Sequence, residues 1–172
     1  AVMLLAATVA CTWRPSAYVG TQPMRWRCGP IVWRVNPTGF QGWQISTIAA
    51  VMADVGARMN RPVVFGGYTG DTRRRNGPSR GSILFESYWP PDAPRGYGWG
   101  DRTVTESWYT GGNVYVNAPT QIFRTTVMHE TGHAVGMADV SDQYEVMDPT
   151  RVWHLRDWGP GDRIGLAALG AC

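Results

Sequence analysis

The sequence predicts an α+β domain, and three observations carry that prediction. Ile45, Ile48, Met52, Val55 and Met59 recur at steps of three and four, the spacing of one apolar helix face over residues 42–60. Short runs rich in β-branched and aromatic residues stand at 31–36, 62–65, 82–86 and 114–117 and read as strands. A last segment opens with Pro160, carries Asp162 in its first turn, continues with Ile164, Leu166 and Leu169, and stops at Gly170, the pattern of a capped helix. With 172 residues, 44% hydrophobic composition and nine tryptophans the chain can bury one core, and its length argues against two domains.

Taken from the start, residues 1–11 form an apolar run ending in small residues before Cys11. The run is too short to span a bilayer and reads as the remnant of a signal peptide. It also resembles, loosely, a lipoprotein processing site, so Cys11 is a candidate lipid anchor. Residues 12–27, with Pro15, Gly20 and Pro23, read as a linker or a strap over the surface of a domain spanning 28–172. Three cysteines are an odd number for an exported protein. Removing or lipidating Cys11 leaves Cys28 and Cys172, at the two ends of the domain, as a candidate disulfide.

The strand at 31–36 is stopped by Pro37, and the helix over 42–60 follows. The strands at 62–65 and 82–86 flank a loop carrying Arg73, Arg74, Arg75 and Arg80. All sixteen basic residues are arginine and the net charge is only +3. The Gly, Asn and Pro around the cluster read as a solvated loop, so no nucleic-acid partner is expected. Residues 88–96, rich in proline, read as an irregular crossing. Thr110-Gly111-Gly112-Asn113 reads as a turn into a short central strand at 114–117, and Asn117 or Thr120 as the cap of the next helix, with Pro119 in its first turn.

That helix carries the chemistry. His129-Glu130-Thr131-Gly132-His133 sets two imidazoles four residues apart, on one face and about 6 Å along the axis, where both can hold one zinc ion. Gly136 can end the helix in a positive-φ turn, which lets Asp139 swing back as a third ligand. Asp142 is its rival for that role. A hydrolytic zinc site keeps a fourth position for water, whose proton a nearby carboxylate must take, and Glu130 is the candidate base. His154, the remaining histidine, reads as a surface or pocket-wall residue.

HETGHAVGMAD followed by Glu145-Val146-Met147-Asp148-Pro149 resembles the metzincin clan of zinc endopeptidases, whose motif is HExxHxxGxxH/D plus a methionine-containing turn. Aspartate at 139 is similar to the snapalysin type. Cys28-Gly29-Pro30-Ile31 and Pro160-Gly161-Asp162-Arg163-Ile164-Gly165-Leu166 resemble bacterial matrixin-like domains. Aspartate in place of histidine lowers the net charge of the site by one unit and weakens the metal's polarisation of water. The resemblance covers about residues 28–172. It implies a metzincin-like zincin with a twisted mixed sheet, two long helices and a small C-terminal subdomain holding the methionine turn and the final helix. It also implies that Met147 lies beneath the metal without binding it, with Gly136 and Pro149 shaping the turns. Residues 97–104, including Gly98, Trp99 and Gly100, would be an edge strand that pairs with substrate backbone. Residues 150–158, including Trp153, would wall an apolar specificity pocket.

The function expected from these readings is that of a secreted, monomeric zinc endopeptidase acting on extended peptide or protein substrates. The alternative site of action is a lipid-anchored position on the outer surface of the cell membrane. The competing functions are a zinc-binding interaction module of the same fold without proteolysis, and a peptidase for cell-wall peptides.

Overall fold

The computed structural model describes residues 12–72, 79–87, 98–105, 107–150 and 155–172. The signal remnant at 1–11 with Cys11, the arginine run at 73–75, the crossing at 88–96, Trp153 and His154 lie outside the described residues. The described chain is α+β: three helices and eight strands, six of them in one mixed sheet and two in a separate antiparallel pair. The strands are β1 (Tyr18–Val19), β2 (Gln22–Pro23), β3 (Arg25–Trp26), β4 (Ile31–Val35), β5 (Val63–Tyr68), β6 (Ile83–Glu86), β7 (Gly98–Thr105) and β8 (Trp108–Val116). The helices are α1 (Gly42–Met59), α2 (Phe123–Val135) and α3 (Pro160–Gly170).

Strand order in the main sheet is β3-β8-β6-β4-β5, with β7 on the other side of β8. All pairs are parallel except β7 with β8, which is antiparallel. Parallel neighbours need crossovers, and α1 supplies the one between β4 and β5. Ile31, Trp33 and Val35 alternate inward along β4, and with Ile83, Phe85, Val114 and Val116 they form the sheet's side of the core. α1 answers with Ile48, Met52, Val55 and Met59, all buried as its period predicts. It ends where Asn60 takes a left-handed conformation, φ 50°, and its N–H donates to Ala57. α3 crosses α1 so closely that a Cβ on Gly170 would lie 1.9 Å from the Met59 carbonyl oxygen.

Three expectations need correction. Residues 110–113 are not a turn: β8 runs unbroken from Trp108 to Val116, twice the expected length. The first of the two glycines that suggested a turn serves a close approach, since a Cβ on Gly111 would meet the Ser79 carbonyl oxygen at 1.9 Å. The helix after β8 is capped by neither Asn117 nor Thr120. It starts at Phe123, with Ile122 at the N-cap and no side-chain cap, after a turn closed by Ile122 N–H on the Pro119 carbonyl. Residues 12–27 are a strap whose end leaves the surface: 12–23 are exposed or half-buried, but β3 joins the sheet beside β8, and Met24 and Trp26 lie in the core. The Trp26 indole N–H donates to the Ala134 carbonyl at 3.1 Å, tying the strap to α2.

The contact between β8 and residue 79 gives a direct test. Gly111→Ala should destabilise the protein by about 1–3 kcal/mol, the range of an overpacked site that the backbone must yield to. Urea unfolding of the two proteins measures it, and equal midpoints would show that the approach at Ser79 is not tight.

Candidate metal centre

α2 is buried almost all round, so the polar residues of His129–His133 face the interior rather than water. His129 and His133 stand one turn apart with ring centroids 4.7 Å apart. Each is oriented by a backbone carbonyl. His129 Nδ1 lies 2.8 Å from the Val146 oxygen and His133 Nδ1 lies 3.0 Å from the Met137 oxygen. A carbonyl only accepts, so both Nδ1 atoms carry the proton and both Nε2 atoms offer lone pairs.

Those lone pairs meet. The two Nε2 atoms are 3.1 Å apart, and Asp139 Oδ1 sits 3.4 Å from His129 Nε2 and 3.2 Å from His133 Nε2. Three acceptors facing one another repel unless a proton or a cation joins them. A tetrahedral zinc ion with ligands at about 2.0–2.1 Å would set its donors roughly 3.3 Å apart, so the residues present fit that ion. Glu130 is buried beside them, one of its carboxylate oxygens lying with a nitrogen of each histidine inside a 4.8 Å cluster. Of the two carboxylates Asp139 is the better ligand, because one oxygen approaches both Nε2 atoms. Asp142 does not compete: Oδ2 accepts from Thr12 Oγ1 at 2.9 Å and Oδ1 from the Tyr144 N–H at 3.1 Å.

Toward protons the cluster is basic. Burial favours a neutral His129, but the Asp139 carboxylate, the charge of Glu130 and the Val146 carbonyl together outweigh it and raise its pKa. Hydrogen bonds to His129 and His133 hold Asp139 far below the usual carboxylate range, although burial opposes them. Binding of a metal ion by these residues would therefore compete with protons.

Asp139 reaches the histidines because α2 ends sharply. Gly136 takes φ 117°, its N–H returns to Gly132 and His133, and the Met137 N–H returns to Gly132 at 2.8 Å, a Schellman closure. A Cβ on Gly136 would also lie 2.5 Å from the Tyr109 ring. Below the helix, Met147 is fully buried against Gly132, where a Cβ would come within 2.3 Å of its sulfur. The absence of a side chain at 132 thus makes room for Met147 against the helix. Pro149 follows on the surface, next to an exposed turn at Thr150.

Sequence reasoning missed the pair of carboxylates that holds this turn. Glu145 accepts the N–H groups of Gly161 at 2.7 Å and Asp162 at 2.8 Å, capping α3. Asp162 reaches back to the N–H groups of Val146 at 2.5 Å, Gly159 at 3.0 Å and Met147 at 3.4 Å. Its first-turn position signalled a cap, but its bonds to residues 146 and 147 depend on tertiary contact. The Val146 peptide therefore receives Asp162 on its N–H and His129 on its carbonyl. The backbone of Gly98, Trp99 and Gly100 lies in β7, opposite Val116, Tyr115 and Val114. Arg102 on the same strand reaches the His133 carbonyl at 3.4 Å and its guanidinium lies over the Tyr109 ring.

An α+β body with a buried HExxH helix and a carboxylate facing it from the turn beyond is the class of protein these features define. No family model matches the sequence, and no curated protein is similar to it. Among solved structures the chain is similar to High choriolytic enzyme 1 (HCE-1), a hatching enzyme zinc-protease from Oryzias latipes (medaka fish). The identity is 12% and the TM-score 0.46, over 76% of this chain and 56% of that one, little more than half its length. That likeness assigns no activity to this chain.

Burial, opposed by hydrogen bonds from Val146 and Gly159 and reinforced by the charge of Glu145, pushes Asp162 up to about 6. The folded pKa lies above that of the unfolded chain, so the native state holds the extra proton between about pH 4 and 6. The group's contribution to stability falls as pH rises through that window. Carboxyl carbon NMR should show Asp162 titrating near 6, and at lower pH in Glu145→Gln. An ordinary carboxylate midpoint in both proteins would show that the pair is not electrostatically linked.

Proposed function

We propose that the protein is a zinc-dependent endopeptidase that hydrolyses extended peptide by activating water. The observation that carries this reading is the convergence of His129 Nε2, His133 Nε2 and Asp139 Oδ1, all within 3.4 Å of one another, beside buried Glu130. These three residues would hold zinc, which when bound supplies the Lewis acidity that makes water nucleophilic near neutral pH. Glu130 takes the proton from the attacking water and gives it to the leaving amine. Val146 and Met137 keep both imidazoles in the ligating tautomer.

The substrate side of the reading rests on β7. Among the described residues β7 pairs with β8 alone, and its other edge is where an extended strand would add. Arg102 links that strand to the end of the ligand helix. Substrate backbone pairing there would align the scissile bond without reading side chains.

Export is part of the proposal, supported by the apolar start and by the cysteines. Cys28 and Cys172 are both exposed, and their thiols hydrogen-bond to each other. The contact from Cys28, with help from Arg61 and Arg25, lowers the pKa of Cys172 and favours the nucleophilic thiolate. Loss of two protons and two electrons to a disulfide-class oxidant would join the start of β4 to the end of α3. Thiol labelling of protein from an oxidising compartment should leave both residues unmodified until reduction, and Cys28→Ser should expose Cys172 and lower the melting temperature. Labelling of both without reduction would refute the bridge.

Cleavage of an unfolded protein substrate tests the activity. Glu130→Ala should lose about 10²–10⁴-fold in rate while still binding zinc, and a chelator should abolish cleavage by the parent protein. No cleavage by folded, zinc-loaded parent protein would instead point to a binding module.

A further inference from the structure

The third ligand has the weakest support of the three. His129 and His133 stand on a buried helix, whereas Asp139 sits on a loop with its side chain 54% exposed. Downstream it is held by the Val140 N–H on the Met147 carbonyl at 3.0 Å. Upstream it is held by a segment more than a hundred residues away in sequence.

Pro15 forms an antiparallel bridge with Met137. The Ser16 N–H donates to the Gly136 carbonyl at 2.8 Å, and the Ala138 N–H donates to the Arg14 carbonyl at 2.8 Å. The bonds flank the bridge, which leaves Pro15 at the one position where a missing N–H costs nothing. Ser16 Oγ adds a second bond to the Gly136 carbonyl at 2.7 Å and accepts from the Tyr109 hydroxyl at 2.9 Å. The strap is seated on α3 where two glycines one turn apart open the surface. A Cβ on Gly161 would strike the Thr12 carbonyl oxygen at 2.0 Å, and one on Gly165 would press on the Trp13 ring at 3.0 Å. Thr12 also binds Asp142 on the far side of the ligand loop.

The bridged residue is the same Met137 whose carbonyl orients His133, and the next N–H in the bridge belongs to the residue before Asp139. We propose that the Arg14–Ser16 backbone is a positioning element of the metal centre, pinning Gly136–Ala138 so that Asp139 and His133 are presented together to a divalent cation. The inference rests on the metal-site reading above and adds to it that this far segment sets the affinity. A ligand loop fastened on both sides of Asp139 loses little freedom when the ion binds. Released upstream, it must be ordered by the ion itself.

The test uses the full chain and cobalt(II) or zinc(II) alone. Ser16→Pro removes the N–H bonded to Gly136, and Ser16→Ala removes only the hydroxyl bonds. Val51→Ala, a cavity in the α1 side of the core, serves as a destabilised control remote from the strap. Affinity is read by competition with a chelator, geometry by the cobalt visible spectrum, and folding by circular dichroism. Ser16→Pro should bind about tenfold or more weaker with an altered cobalt spectrum, Ser16→Ala should fall between it and the parent, and Val51→Ala should lower the melting temperature yet bind as the parent does. Parent-like affinity and spectrum in Ser16→Pro, with amide exchange at Ala138 accelerated to show the bridge broken, would overturn the proposal. If Ser16→Pro does not fold, parent-like affinity and spectrum in Ser16→Ala overturn it. Should His129→Ala bind as tightly as the parent, the metal-site reading itself fails, an outcome separate from failure of the strap.

Discussion

Three lone-pair atoms aimed at one point, with both neighbouring imidazole protons committed elsewhere, are the constraint on which this structure depends. Such a cluster is unfavourable by itself, and every element around it can be read as holding it in place. Carbonyls of Val146 and Met137 take the Nδ1 protons. The Schellman turn at Gly136 brings Asp139 back, and Gly132 leaves the space that Met147 fills. Strain of this kind is tolerated only where the surroundings over-determine it, and here they do so from three directions.

Those directions are distinct parts of the chain. From above, β7 and Arg102 reach the end of α2. From below, Glu145 and Asp162 exchange hydrogen bonds so that the methionine turn and the start of α3 become one unit. From the side, the strap closes on Gly136–Ala138. The two buried carboxylates are both satisfied by backbone N–H groups, which explains how like charges are accommodated so close together. Burial, with the charge of Glu145 beside it, still raises Asp162 to about 6.

Much of the fold was legible because its signals are local. The period of α1, the alternation of β4 and the Pro160 start of α3 each predict an element within a residue or two of its observed bounds. Where reading failed, a residue had two physical uses. Gly111 and Gly112 have the composition of a turn but serve a strand pressed against residue 79, and composition does not distinguish these uses. Asn117 and Thr120 look like caps, yet the turn at Pro119 delays the helix past both. Residues 12–27 read as a linker or a surface strap because Pro and Gly interrupt them, with nothing in the segment to say where it fastens. Their partners are Tyr109, Gly136 and Ala138, which only the folded chain brings near.

The sequence alone determined the spacing of His129, Glu130 and His133 on one helix, the glycine that ends it, and the carboxylate three residues beyond. Helix geometry and backbone conformational freedom are local, so the candidate centre could be named from the chain. Tertiary structure decided which carboxylate faces the histidines, because Asp142 is drawn off by Thr12 while Asp139 lies against both Nε2 atoms. It also decided the tautomers, through carbonyls 4 and 17 residues away, and the fastening of the ligand loop by a strap from the other end of the chain. Hydrogen bonds between distant backbone groups leave no mark on residue type, which is why folding alone brings them to view.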